Sequence, residues 1–121
     1  MDWSDHLNRL CDEGRENLGD VCRAVKIELF SGVVLDTRVD TGRLRGNWQI
    51  SEKSPALGDI DTTDRSGSKT INEITQYASP DGVTYLVNNL PYAAVWEERD
   101  AMVGRNIARI EQNLIEQVKK L

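Results

Sequence analysis

The sequence predicts an α+β fold, with long helices near the N- and C-termini, two short strands between them and a long mobile loop. Three patterns carry that expectation. Apolar side chains recur at steps of three and four near both ends of the chain, the spacing of a helix with one buried stripe. Two short runs, 48–51 and 83–88, have the alternating or β-branched character of strands. A stretch over 54–69 is built from Pro, Gly, Ser, Thr and Asp and offers nothing to a core.

Taken in order, a single domain over 1–121 begins with a helix over 1–30, its stripe formed by Trp3, Leu7, Leu10, Leu18, Val21, Cys22, Val25 and Leu29. Asp2 or Ser4 caps its start and Ser31-Gly32 supplies a stop, while Gly14 interrupts the stripe. At about 28 residues it would be about 42 Å long, enough to reach past a core this small. Residues 33–39 read as a connector with a short extended piece. Over 39–53 a single helical turn, capped by Asp40 or Thr41 and bracketed by Gly42 and Gly46, leads into a half-buried strand at Trp48 and Ile50. The segment 54–69 is the mobile loop, longer than ordinary connections. A short helix follows over 70–77, and Ser79-Pro80-Asp81-Gly82 makes a turn. Residues 82–98 hold the second strand and a helix opened by Asn89 and Pro91. The last helix, 100–121, carries Val103, Ile107, Ile110, Leu114, Val118 and Leu121 on one face, with Asp100 as its cap.

Composition narrows the function classes. The chain has 121 residues, a formal net charge of −5 and 39% hydrophobic residues. No apolar run approaches the ~20 residues of a membrane span, and the start lacks the pattern of a secretion signal. These features predict a soluble intracellular domain with no membrane partner. An acidic chain is also a poor candidate for tight DNA binding, which rests on clustered positive charge. The charge is uneven, however. Residues 1–37 hold four basic and eight acidic side chains, a balance of −4. Residues 38–53 hold Arg38, Arg43, Arg45 and Lys53 against Asp40 and Glu52, a balance of +2.

No catalytic constellation stands out, so no enzyme activity, cofactor or metal is expected. His6 is the only histidine, which leaves nucleophilic catalysis without an obvious base and zinc without a ligand set. Cys11 and Cys22 would stand about 16 Å apart along one helix, beyond the roughly 7 Å a disulfide spans, and read as buried free thiols. Ser66-Gly67-Ser68-Lys69-Thr70 loosely suggests a phosphate loop but lacks its first glycine. Counted from Asp59, the acidic series Asp59, Asp61, Asp64 has neither the glycine nor the terminal glutamate of a calcium loop. Glu97, Glu98 and Asp100 beside Arg99 read as a charged helix junction. Trp48, Tyr92 and Trp96 serve either the core or a subunit contact, where Trp, Tyr and Arg are enriched.

Two stretches carry a resemblance. Val39-Asp40-Thr41-Gly42-Arg43-Leu44-Arg45-Gly46-Asn47-Trp48 resembles the signature V-D-T-G-x-L-R-x-S-W. Asn88-Asn89-Leu90-Pro91-Tyr92-Ala93-Ala94-Val95-Trp96-Glu97 resembles a second, N-x-x-P-Y-A-x-x-x-E. Both are signatures of the HK97 gp10-like family of tailed-phage neck and tail-completion proteins, in the same order and separated by a variable loop. The resemblance implies an α+β subunit, a small antiparallel sheet flanked by long N- and C-terminal helices, and a structural virion protein, a homo-oligomeric ring subunit joining head and tail, located in the virion and in the host cytoplasm during assembly. It implies a hexamer, or alternatively a dodecamer, in contact with adjacent neck, head-closure, tail-terminator or tail-tube proteins. Arg43, Arg45 and Trp48 are then the subunit-contact candidates, with Tyr92 and Trp96 supporting their turn. The competing readings are a small acidic adaptor or regulatory protein that binds a protein partner, and a small enzyme of unseen mechanism.

Overall fold

The computed structural model describes residues 18–119, and it has the expected α+β class. In chain order its elements are α1 (Leu18–Asp36), α2 (Arg43–Gly46), β1 (Trp48–Ser51), α3 (Ser68–Tyr77), β2 (Tyr85–Asn88), α4 (Ala93–Asp100) and α5 (Met102–Lys119). The strands pair antiparallel, Trp48 opposite Asn88 and Ser51 opposite Tyr85. Two strands alone are marginally stable, so this ribbon needs the helices beneath it.

The support is a core in which Val33 and Val34 of α1, Trp48 of β1, Ile74 of α3 and Met102 of α5 meet, with Ile50 and Leu86 packed on it. A second cluster joins α1 to α5, where Val21, Val25, Leu29 and Leu114 surround Ile110. Partners on α5 fall in number as those on α1 rise, so the two helices run antiparallel. Polar contacts repeat that pairing: Arg109 bonds Glu28 at 3.0 Å and Asn106 Nδ2 donates to Asp36 at 2.8 Å. Arg23 Nε donates to the Ala78 carbonyl and Lys26 Nζ to that of Ser79, placing two cations at the negative end of α3.

Several boundaries differ from expectation. The predicted stop at Ser31-Gly32 does not end α1, which continues through the supposed connector Val33-Val34-Leu35 to Asp36. Gly32 is there for close approach, since a Cβ at that position would collide with the side chains of Asn106 and Arg109 on α5. The part of the predicted first helix before Leu18, with Trp3, His6, Cys11 and Gly14, lies outside the described residues. Cys22, expected to be buried, is exposed. Its place on the apolar stripe lies at a turn where the buried face has already passed to Val21 and Val25.

The helix opened by Pro91 begins only at Ala93, because Pro91 and Tyr92 form the turn before it. Asp100 does not cap the last helix. It ends α4, and Ala101 in a left-handed conformation (φ 50°) reverses the chain. The cap of α5 is Glu97, whose carboxylate accepts the amides of Val103 at 2.9 Å and Gly104 at 3.2 Å. A carboxylate is favoured there by the helix dipole.

The long loop between β1 and α3 is present, but mobility inferred from its composition misses how it is held. Asp64 is only 8% exposed, and its carboxylate accepts both the amide and the hydroxyl of Thr70 at 2.8 Å. The Asp64 amide in turn donates to the Gly42 carbonyl at 2.9 Å. The loop is therefore tied at one end to α3 and along its length to the turn that precedes β1.

Candidate functional site

The turn over residues 39–48, the first signature-like stretch, is shaped by the loop that crosses it. Gly42 adopts φ +94°, and a Cβ there would lie 2.8 Å from the Arg65 amide nitrogen, so no larger residue fits. At Gly46 a Cβ would meet the backbone and side chain of Asp64 at 3.1 to 3.2 Å. Between the glycines, Leu44 points inward to Leu90 and Ala93 of the second signature-like stretch, with Trp96 packed against them. Asn88 Nδ2 donates to the Leu44 carbonyl at 2.8 Å and closes the contact. The two stretches, forty residues apart in sequence, form one joint.

The inner side of that joint is a chain of buried polar contacts. Trp48, 6% exposed, donates its indole N–H to the hydroxyl of Thr37, which donates to the Val33 carbonyl at the end of α1. Asn47 is fully buried, its amide donating to the Arg43 carbonyl and its oxygen accepting the Ile60 amide, each at 2.8 Å. Arg45 also turns inward. Its guanidinium donates to the carbonyls of Leu35, Thr37 and Arg65, which fastens the end of α1 to the loop. Of the sequence-derived candidates, Trp48 and the two terminal guanidinium nitrogens of Arg45 thus have intrachain partners, while Arg45 Nε is buried without one.

The outer side is a cleft of about 150 Å3 lined by Arg38, residues 40–44, Tyr92 and Trp96. Arg43 and Tyr92 are on its exposed rim, and Arg43 forms an exposed ion pair with Asp59 at 2.8 Å. Trp96 is half-buried and forms one wall. Arg38 lies 4.0 Å over its ring, and Arg99 approaches it at 5.5 Å. Arg38 also grips Asp100 with two 2.8 Å hydrogen bonds. That hydrogen bonding holds the Asp100 carboxyl below its ordinary range, with the charges of Arg38, Arg105 and Arg99 adding to it against a desolvation cost. The same bond raises Arg38.

Asp64 behaves differently, because its burial pushes the carboxyl pKa up. Hydrogen bonds from Thr70, Gly67 and Lys69 outweigh that push, and the net shift is downward.

The contacts made by Arg38, Asp100, Asn47, Asn88 and Asp64 are not legible in the sequence, which suggests other roles for Asp64 and Asp100. Asp64 lying shortly before Gly67 and a helix was the one available signal, since Asp is a common helix-start residue. The others act through partners too distant in sequence to be read locally. Among the described residues, no group of three His, Cys, Asp or Glu side chains could hold a metal ion. Nor is any helix among them long and apolar enough to cross a membrane.

No family model, curated protein or solved structure matches this chain. The arrangement itself offers positioned arginines, aromatic faces and a small recess.

Proposed function

We propose that the chain is a structural protein of a tailed-phage virion, a neck or tail-completion ring subunit that joins head and tail. The observation that supports this reading most is the convergence of the two signature-like stretches on one joint, with buried polar contacts inside and an arginine–aromatic cleft outside. A subunit that must fit between larger bodies needs a surface held in a fixed shape, because a preorganised surface loses less freedom on docking. The antiparallel packing of α1 on α5 supplies a stiff frame behind it.

On this reading the protein has no enzymatic role and needs no cofactor. Its partners are further copies of itself, in a hexamer or alternatively a dodecamer, and the adjoining neck, head-closure, tail-terminator or tail-tube proteins. It works in the virion after assembling in the host cytoplasm. Its acidic balance keeps duplex DNA from binding tightly, and a gel-retardation assay at moderate salt should show free DNA.

The test is a phage genome in which this gene is disrupted. Heads and tails should accumulate separately, and supplying the gene in trans should restore complete particles. Complete infectious virions formed without the protein would overturn the proposal.

A further inference from the structure

The two strands of the ribbon are not guarded alike. The long loop accompanies β1: Ser51 Oγ donates to the Ser54 carbonyl and Gln49 Nε2 to that of Gly58, each at 2.8 Å, and the preceding Asn47 accepts the Ile60 amide. β2 pairs with β1 alone. In an antiparallel pair every second residue aims its N–H and C=O away from the partner strand. Among the described residues, those groups of Tyr85–Asn88 bond nothing beyond the ribbon. Natural edge strands are commonly blocked by charge, proline or a bulge. Here, in a chain with 29% charged residues, no charged side chain occurs between Asp81 and Glu97, and Pro91 lies past the strand. Val83, which leads into β2, is 66% exposed.

What such an edge fits is decided by its own side chains. Opposed residues share a face, so Leu86 lies on the core face with Trp48 and Ile50, and Tyr85 and Val87 lie on the other. A second β2 running antiparallel keeps the faces of two ribbons in line only when residues of like face meet. Centred on Leu86, that register sets Leu86 against its own copy and Tyr85 against Val87 on both sides of the centre. Leu86 is half-buried in one chain and has apolar surface left to cover. An aromatic opposite a β-branched residue is a favourable cross-strand pair. The same register sets Thr84 against Asn88. The Thr84 hydroxyl is buried with no hydrogen-bond partner in its own chain, and a carboxamide beside it offers one. A charged edge would meet its own charge in such a pair, and this edge has none to meet.

We infer that the free edge of β2 pairs antiparallel with the β2 edge of a second copy, so that two ribbons form one continuous sheet about a two-fold axis at Leu86. The contact is isologous, each copy presenting the same strand to the other. Main-chain hydrogen bonds supply the attraction, and the Leu86 and Tyr85/Val87 pairs fix the register. The pairing goes beyond the ring-subunit reading and does not rest on it, because the free chain suffices to form it.

The test uses the full chain with Cys11→Ser and Cys22→Ser in two forms, one carrying Tyr85→Cys and the other Val87→Cys. Mixed under mild oxidation they should give a cross-linked dimer. Each form alone should stay uncross-linked, because neither position faces itself in this register. In the wild-type background Tyr85→Lys with Val87→Lys sets lysines opposite one another and should weaken association at least about tenfold in sedimentation. Tyr85→Lys with Val87→Glu sets lysine opposite glutamate and should restore it, with both double variants melting cooperatively. A chain monomeric at all concentrations, a mixture that cross-links no better than either form alone, or a Lys/Glu variant as weak as the Lys/Lys one would overturn the strand pairing. None of these results removes the protein from the head–tail junction, whereas its absence from virions would overturn the ring-subunit reading itself.

Discussion

The two sides of the joint between the signature-like stretches are built from similar residues and do opposite things. On the inner side Asn47, Trp48 and Arg45 direct their donors at buried or backbone acceptors, and Thr37 closes the chain at zero exposure. On the outer side Arg38 and Arg43 pair with Asp100 and Asp59 in water, where solvent screens such pairs and they add little to stability. An arginine's role here follows from what its guanidinium meets. Arg45 meets carbonyls and holds the fold, whereas Arg43 meets the exposed carboxylate of Asp59.

The contrast can be broken most forcefully at Trp48. Trp48→Ala removes a buried ring and its bond to Thr37 and should cost about 3 to 5 kcal/mol, measured by urea unfolding. Asn47→Ala leaves the Ile60 amide and the Arg43 carbonyl unmatched and should cost about 2 to 3 kcal/mol in the same assay. Losses below about 0.5 kcal/mol at either position would show that the inner side is not what holds the joint.

A third variant sharpens the comparison through pH. The Asp64 carboxyl lies below its unfolded value in the folded chain, so its ionised form stabilises the fold above the ordinary carboxylate range, near 3.9. That stability is lost as pH falls through the lowered folded value. Asp64→Asn should cost about 1 to 2 kcal/mol at neutral pH and flatten the acid side of the stability profile. An acid limb identical to wild type would exclude this role. The smallest effect belongs to the outer side: Arg43→Ala should change stability by less than about 0.5 kcal/mol while weakening self-association in sedimentation.

Much of the frame was readable because it is periodic. The α5 helix, the β2 run and the turn at Gly42 follow from local spacing, and the structure places them within a few residues of expectation. Of the α5 stripe, Val103, Ile110 and Leu114 pack inward, while Ile107 is 42% exposed. The misses share a cause. Gly32 resembles a helix stop until α5 is placed against it, and Asp64 resembles a solvated loop residue until Thr70 and Gly42 surround it. Asp100 resembles a cap until Glu97 takes that place and Arg38 takes the aspartate. In each case the deciding partner is supplied by the tertiary fold. For the candidate site, residue types were legible but their direction was not, which is why Arg45 and Arg43 looked alike.

Hydrogen exchange on the dilute chain and on the assembled protein addresses the division between the two sides most directly. Amides of Thr41, Gly42 and Tyr92 should gain protection on assembly, while those of Asn47 and Trp48 should be slow already and stay unchanged. New protection confined to the outward faces of α1 and α5, with the cleft exchanging as before, would contradict it.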